Sequence, residues 1–277
     1  MLSFLCPICG EKLKKNDFSY KCRNGHSFDI SRKGYVNLLT TNGRNPQKAG
    51  DNKEMIRARS YFLDSGAYLP LAEMTGRLLG ELCPKEGADI IDAGCGEGYY
   101  TCVYAKMLRG ADIYGIDISK HGIDHAASRA RNCEPKLSNV HLAVGSAFRL
   151  PFKSGVADAV VSTFAPVSND EYSRVLRRGG KLVIVSPAPK HLFSLKALLY
   201  DKPYENEPNI YALGKFEHTD TKFLEYTAHI ADSKTLKALF AMTPYYYKTS
   251  AKAASRLDSV NGLDIECAFE IRIYTAL

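Results

Sequence analysis

The sequence predicts a doubly wound, Rossmann-like α/β domain preceded by a small N-terminal module. Three observations indicate this. Short apolar segments alternate with helical patterns between residues 88 and 200, the first of these segments ends in a glycine-rich turn, and three of the eight cysteines lie within residues 6–26. At 277 residues the chain has room for one large domain and one small one.

The elements follow one another in a regular order. After the small module we expect a short strand or hairpin continuation within residues 28–39 and two helices interrupted near residue 65. The predicted strands of the body are residues 88–93, 111–119, 140–146, 157–166 and 181–189. The predicted helices are residues 119–131, 170–177 and 191–200, with a turn at 177–180. Strands that alternate with helices predict a parallel sheet covered on both faces.

The N-terminal module carries a metal-ligand pattern. Cys6, Cys9, Cys22 and His26 follow the spacing C-x2-C-x12-C-x3-H. Two ligand pairs separated by about a dozen residues suit tetrahedral zinc, which prefers thiolate and imidazole donors. Because so short a module cannot bury enough apolar surface to fold alone, the pattern predicts a structural zinc site. The alternative is that the cysteines are merely small buried residues.

A glycine-rich turn follows the first predicted strand of the body. That strand ends in Asp92, and glycines at positions 94, 96 and 98 let the backbone approach a ligand closely. The next strand ends in Asp117, about 20 residues after the turn, where an acid can accept both ribose hydroxyls of an adenosine. The alternative is a tight turn in an enzyme that binds another ligand.

The turn differs from the dinucleotide-binding fingerprint because no G-x-x-G continuation follows. Asp92 and Glu97 suit a cofactor with cationic ammonium and sulfonium groups. The pattern D-x-G-C-G-x-G resembles motif I of the class I S-adenosylmethionine-dependent methyltransferases. The residues expected to bind this cofactor are Asp92, Gly94, Gly96, Glu97, Gly98, Tyr99, Asp117, Ile118, Ser146 and Ala147. The last two occupy the position after the third strand, where contacts to adenine would come mostly from the backbone.

The excess positive charge is concentrated near the N-terminus. The net charge is +7, and residues 1–60 carry 12 Lys and Arg against 5 Asp and Glu. A local basic surface is typical of proteins that bind a polyanion, although a solvated basic face explains the charge equally well. The residues expected to contact such a partner are Lys12, Lys14, Lys15, Arg23, Arg32 and Lys33.

The sequence shows no sign of a membrane span or a secretion signal. It contains no run of 18 uncharged apolar residues, and the opening MLSFLC is too short for a signal-peptide core. We therefore expect a cytoplasmic protein with reduced thiols. The cysteines without ligand spacing, to which we assign no function, are Cys83, Cys95, Cys102, Cys133 and Cys267.

The order of motifs resembles that of the bacterial 23S rRNA guanine-N1 methyltransferases, which modify a hairpin loop and include a macrolide-resistance branch. The motifs are the Cys/Cys/Cys/His module, GYVNLL, GDN-x-x-M-x-x-AR-x-x-FL-x-x-G-x-Y, GCGEGYY, RLPF and PAPKHL, and the resemblance covers roughly residues 4–245. It implies zinc on the four ligands and cofactor contacts at Tyr68, residues 96–99 and His191. It also implies a homodimer around a cleft for 23S rRNA.

The predicted domains are a zinc-binding, RNA-recognition domain at residues 1–37, a linker at 38–54 and a methyltransferase domain at 55–277. After the fourth strand, Phe164, Ala165 and Pro166 are candidates to hold a splayed-out purine, because the segment contains neither a catalytic cysteine nor an Asn/Asp-Pro-Pro-aromatic clamp. The sequence identifies no catalytic base. The alternatives are a methyltransferase for a different RNA or a small molecule, and a non-catalytic RNA-binding protein.

Overall fold

The computed structural model describes residues 1–40 and 50–277. The strands are β1 (Lys14–Lys15), β2 (Ser19–Lys21), β3 (Ser27–Asp29), β4 (Val36–Asn37), β5 (Asp89–Ala93), β6 (Asp112–Asp117), β7 (Val140–Val144), β8 (Ala157–Thr163), β9 (Leu176–Pro187), β10 (Phe216–Ile230) and β11 (Leu263–Ala276). The α-helices are α1 (Lys53–Asp64), α2 (Leu69–Leu82), α3 (Tyr99–Met107), α4 (Lys120–Arg131), α5 (Asn169–Val175), α6 (Phe193–Leu199), α7 (Ser233–Ala241) and α8 (Ala251–Ala254). Part of the predicted linker, residues 41–49, lies outside the described residues.

The body of the chain is built on an eight-stranded sheet of order β10-β11-β9-β8-β5-β6-β7-β4. Strands β4 to β9 pair in parallel, whereas β11 is antiparallel to both β9 and β10. The doubly wound prediction is confirmed. The five predicted strands of the body pair in parallel, as expected. Strands β10 and β11 were not predicted, and the antiparallel pairing of β11 with both β9 and β10 makes the complete sheet mixed.

The strand order reverses at β5, which lies between β6 and β8. Both β5 and β8 are buried along their whole length. Because successive crossovers leave β5 in opposite directions, a crevice opens at the carboxyl ends of β5 and β8. Open α/β sheets bind their ligands at such a crevice. The fold therefore places the candidate site at this edge.

The segment after α5 differs in part from the prediction. The predicted helix at 170–177 ends at Val175, and residues 177–180, predicted as a turn, lie within the bounds of β9. Ala157 pairs with Leu176 and Ala159 with Lys181, so the register shifts here and residues 177–180 have no partner on β8. The short strand or hairpin continuation expected within 28–39 is formed by β3 and β4, which an antiparallel bridge between Ile30 and Val36 connects.

The N-terminal module packs directly on the large sheet. Its own sheet has three antiparallel strands in the order β1-β2-β3. The Phe4 ring lies 6.3 Å from Tyr114 and 5.5 Å from Phe152, and the Leu5 N–H donates to the Pro151 carbonyl at 2.8 Å. The module therefore shares its apolar core with the sheet.

Strand β4 joins the large sheet, since it pairs with β7. The predicted division placed these residues in the N-terminal domain. The division into residues 1–37, 38–54 and 55–277 stays a prediction. Within the ranges 1–40 and 50–277, no helix combines the length and apolar character that a bilayer crossing requires.

Candidate active site and metal centre

The four predicted metal ligands converge at the N-terminal module. Their ligand atoms all lie within 4.8 Å of one another. The Cys9 and Cys22 sulfurs are 3.8 Å apart, and His26 Nδ1 lies 3.5 Å from Cys6 Sγ and 3.4 Å from Cys22 Sγ. Zinc with bonds of about 2.3 Å to sulfur and about 2.0 Å to nitrogen has tetrahedral edges of about 3.8 and 3.5 Å. The donor set therefore fits zinc in both chemistry and spacing.

The environment of Cys9 favours its metal-binding form. A hydrogen bond from the backbone of Glu11 lowers the pKa of Cys9 to about 6. The thiolate is the form that binds metal, so the thiol can be deprotonated near neutral pH. No further donor joins Cys6, Cys9, Cys22 and His26 among the metal-ligand groups found in the described residues. Four protein ligands without an open position indicate a structural zinc site.

The glycine turn allows neighbouring elements to pack closely at the crevice. Gly94 has a φ of +85°, and a Cβ added there would lie 2.5 Å from the Ala165 Cβ. Gly98 has a φ of +81°, and its Cβ would lie 2.6 Å from that of Ala126. Glycine at these positions therefore lets the loop after β8 approach the end of β5, and lets α3 begin against α4.

Asp117 lies beside the turn at the end of β6. Its carboxylate accepts the Gly96 N–H at 2.9 Å and the Ser119 N–H at 2.7 Å. Burial raises the pKa of Asp117, whereas the two backbone hydrogen bonds lower it. Each oxygen keeps a second lone pair, so the carboxylate can also accept ribose hydroxyls.

Asp92 is a buried acid at the end of β5. It is 1% exposed, and it accepts a hydrogen bond from the Thr101 hydroxyl at 2.6 Å. Burial raises the pKa of Asp92 to about 7. A nearby cation favours the ionised form of such a carboxyl. The group therefore suits the positive charges of S-adenosylmethionine.

The carboxylate of Glu97 is engaged by protein groups. It accepts from Arg129 Nε at 3.0 Å and from the Tyr99 N–H at 3.3 Å. Arg129 also pairs with Asp64 at 2.6 Å, so the network joins the end of α1 to α4. The visible role of Glu97 is thus structural, and a cofactor contact there stays a prediction.

The remaining predicted cofactor residues lie along the same edge of the sheet. The guanidinium of Arg129 lies 5.5 Å from the centre of the Tyr99 ring. Ile118 packs against Gly50, where an added Cβ would lie 2.9 Å from Ile118 Cγ2. Ser146 and Ala147 follow β7, and the Ser146 hydroxyl accepts the Phe148 N–H at 3.1 Å. Their contacts with the cofactor stay predictions.

Tyr68 and His191 meet although 123 positions separate them. The Tyr68 hydroxyl lies 3.0 Å from His191 Nε2, and His191 Nδ1 accepts the Ala268 N–H at 3.2 Å. Burial lowers the pKa of His191 to about 3, so the ring is neutral near pH 7. Because Nδ1 is an acceptor, the single ring proton is on Nε2 and is donated to Tyr68.

Phe164 forms an aromatic surface beside this pair. Its ring centre lies 6.4 Å from Tyr68, 6.2 Å from Tyr100 and 5.8 Å from Phe269. It is 41% exposed, and its φ of 54° is in the left-handed region that side chains with a Cβ disfavour. Strained residues of this kind are concentrated at functional sites. The other two candidates follow it, with Ala165 against Gly94.

Several residues of the site were missed from the sequence. Phe269 lies on β11, which was not predicted, and Tyr100 follows the predicted Tyr99 without any signal of its own. Asp51 and Arg59 form an ion pair next to Asp117. Both belong to the GDN-x-x-M-x-x-AR motif, which could have indicated them.

The predicted RNA-binding residues are not equally available. Lys12, Lys14 and Lys15 are exposed. Arg23 pairs with Glu11 at 2.6 Å. Lys33 pairs with Asp124 of α4 at 2.5 Å. Arg32 is also exposed. RNA binding by any of the six stays a prediction.

Two family models match the chain. The model described as "Methyltransferase domain" matches residues 84–242, and the one described as "RlmA, N-terminal" matches residues 4–45. The sheet topology, the glycine turn and the first of these matches define a class I, S-adenosylmethionine-dependent methyltransferase.

Two relatives narrow the assignment. A Streptomyces fradiae protein named 23S rRNA (guanine(748)-N(1))-methyltransferase is 37% identical over 195 residues, which is 69% of this chain and 65% of that protein. A Bacillus subtilis (strain 168) protein, provisionally named 23S rRNA (guanine-N(1)-)-methyltransferase YxjB, is 31% identical over 284 residues, which is 98% of this chain and 96% of that protein. The chain belongs to the 23S rRNA (guanine-N1)-methyltransferase family. The predicted family, S-adenosylmethionine as cofactor and structural zinc are confirmed.

Proposed function

We propose that this protein transfers the methyl group of S-adenosylmethionine to N1 of a guanine in a hairpin loop of 23S rRNA, in the cytoplasm. The packing of Ala165 against Gly94 carries the proposal. Gly94 belongs to the turn predicted to bind the cofactor, and Ala165 follows Phe164, the exposed aromatic residue. This contact would bring the cofactor and the target base together at the crevice.

Two predicted cofactor residues would hold different parts of S-adenosylmethionine. Asp117 would accept the ribose hydroxyls, and ionised Asp92 would lie near the cationic end. When bound, S-adenosylmethionine supplies an activated methyl group on a sulfonium. Transfer from a sulfonium is an in-line displacement, so positioning and exclusion of water can provide much of the acceleration.

The aromatic surface would hold the target base. A base that leaves its stack is commonly held on an aromatic side chain. Phe164 offers its exposed ring for this contact. Guanine N1 loses a proton during methylation, and water in the open crevice would accept it. His191 is poorly suited to remove it, since its pKa is about 3.

Methylation of an isolated RNA hairpin provides a direct test. Purified protein, labelled S-adenosylmethionine and a 23S rRNA hairpin should give labelled RNA, and primer extension should stop at a guanine that carries an N1-methyl group. A matched hairpin with that guanine replaced by adenine is the control. Labelling of both hairpins alike, or of neither, would overturn the proposal. Transfer to a small molecule instead would favour the alternative substrate class.

We also propose that the protein forms a homodimer. Strand β10 is a 15-residue edge strand, and its Phe223 side chain is 62% exposed. Long exposed edge strands readily pair with another chain. Light scattering should give twice the chain mass, and a monomer mass at working concentration would contradict the dimer.

A further inference from the structure

The first hairpin of the N-terminal module has an unusual charge arrangement. We call residues 14–21 the basic hairpin. Lys14 on β1 pairs directly with Lys21 on β2. All three lysines, Lys14, Lys15 and Lys21, are exposed, and none has an ion-pair partner among residues 1–40 and 50–277. Like charges that face each other across a strand pair are destabilising. An anion bound between Lys14 and Lys21 would relieve this repulsion.

The tip of the basic hairpin presents an aromatic side chain. Phe18 is 82% exposed, more than any other phenylalanine among the large exposed apolar residues of the described chain. The Asn16 side chain holds the turn, since its carbonyl oxygen accepts the N–H groups of Phe18 at 3.1 Å and Ser19 at 2.7 Å. The ring is therefore presented on a fixed backbone. The acid at this tip is Asp17, which is exposed.

Exposed cations beside an exposed ring are the combination that binds single-stranded nucleic acid. The cations contact the phosphates, and the ring stacks on a base whatever its sequence. We propose that the basic hairpin binds an unpaired nucleotide of the RNA substrate, with Phe18 stacked on the base and Lys14 and Lys21 at the neighbouring phosphate. This inference rests on the proposed function, because it takes 23S rRNA as the partner.

The variant Phe18→Ala distinguishes a role of Phe18 in stacking on RNA from a role in stabilising the fold. Because the Phe18 ring is so exposed, it contributes little to the stability of the fold. Zinc content and unfolding temperature should therefore stay at wild-type values. Affinity for a fluorescein-labelled 23S rRNA hairpin should fall by about 5- to 150-fold, the usual effect of removing a stacking ring. Affinity for a duplex without the loop should change little. Phe18→Trp should retain hairpin binding.

The chain provides a matched control. Tyr247 is also an exposed aromatic residue, with 69% of its side chain exposed, but it lies outside the N-terminal module. Tyr247→Ala should bind the hairpin like wild type. Lys21→Ser should reduce the log–log salt dependence by about 0.7 for a single-stranded contact.

The outcomes distinguish this inference from the proposed function. If wild-type protein methylates the hairpin and Phe18→Ala binds it with wild-type affinity, the stacking role is overturned and the proposed function stands. An equal loss of loop and duplex affinity in Phe18→Ala would also overturn it. If wild-type protein does not methylate the hairpin, the proposed function fails, and the inference that rests on it fails too.

Discussion

The Tyr68 hydroxyl accepts the Nε2 proton of His191 across a distance of 3.0 Å. This direction follows from the other side of the ring, where Nδ1 accepts the Ala268 N–H. Since the histidine is neutral, Tyr68 keeps its own proton for a ligand. The pair thus combines a fixed orientation with an available donor.

Tyr68→Phe should weaken S-adenosylmethionine binding by about 2- to 10-fold, the usual contribution of one neutral hydrogen bond. The ring and its packing remain, so the fold should be retained. Isothermal titration calorimetry measures the effect. Tyr114→Phe is the control, because Tyr114 is also buried but its hydroxyl bonds Asp89 at the opposite end of the strands. Equal affinities for all three proteins would exclude Tyr68 from the cofactor site.

Asp117→Ala should weaken cofactor binding more strongly. A hydrogen bond to a charged group contributes about 1.5–3 kcal/mol, which corresponds to about 10- to 150-fold in affinity. Asp117→Asn should lose less, since an amide oxygen can still accept one bond. In calorimetry, the affinity for S-adenosylmethionine should be highest for wild type, lower for Asp117→Asn and lowest for Asp117→Ala. Unchanged affinity for Asp117→Ala would contradict the assignment.

The zinc ligands should control the stability of the body as well as the module. If the module were independent of the body, Cys9→Ser would leave the body intact. The packing of Phe4 on Tyr114 and Phe152 changes this expectation, because a module that unfolds exposes apolar surface of the large sheet. Cys9→Ser should lose zinc and lower the unfolding temperature of the body.

Cys83→Ser is the control for the zinc prediction. Cys83 is buried at the end of α2 and has no place in the cluster. Metal analysis should find one zinc per chain in this variant and in wild type. Retention of zinc by Cys9→Ser would contradict the metal assignment. An unchanged unfolding temperature of the body would contradict only the claim that the module and the sheet share an apolar core.

Buried Asp92 should make both stability and cofactor binding depend on pH. Its pKa is raised from 3.8 to about 7 in the folded chain. The folded chain therefore keeps a proton that the unfolded chain releases, so the stabilisation from this proton is full below pH 3.8 and is lost as pH rises through about 7. A cationic cofactor needs the ionised form, so its affinity should rise between about pH 6 and 8.

Asp92→Asn should remove both trends, because an amide does not titrate. Thermal unfolding and calorimetry across this pH range provide the comparison with wild type. A wild-type affinity that is flat with pH, or an asparagine variant that keeps the wild-type slope, would show that Asp92 does not interact with the cofactor's charge.

The sequence predicts the parts of the site that depend on local spacing. The zinc ligands occur as two short-range pairs, and the glycine turn and Asp117 belong to one βαβ unit. Contacts between distant segments could not be derived this way. Glu97 is predicted to contact the cofactor from its position in the turn, but its hydrogen bond with Arg129, which is 32 positions away, could not be derived from spacing. Likewise, Phe269 reaches the site only because β11 inserts beside β9.

The antiparallel direction of β11 also could not be predicted from local sequence patterns. Helical crossovers predict parallel neighbours, and nothing within residues 263–276 indicates that this strand enters the sheet in reverse. The packing of the N-terminal module on the sheet depends on surface complementarity between Phe4 and the β6 face, which no spacing rule describes. Tertiary packing therefore decides these features.

Phe164 should separate stability from activity. A residue with a Cβ in the left-handed region costs roughly 1–2 kcal/mol, and glycine avoids this cost. The φ of Phe164 is 54° and its side chain is 41% exposed, so Phe164→Gly should unfold at or above the wild-type temperature. Phe164→Ala should unfold at a lower temperature than the glycine variant, since it keeps the strain and loses the ring contacts.

If the ring holds the target guanine, both variants should lose methylation of the hairpin to a similar extent while retaining wild-type cofactor affinity. Thermal unfolding, calorimetry and initial rates measure the three quantities separately. Wild-type rates in either variant would show that the ring does not hold the base.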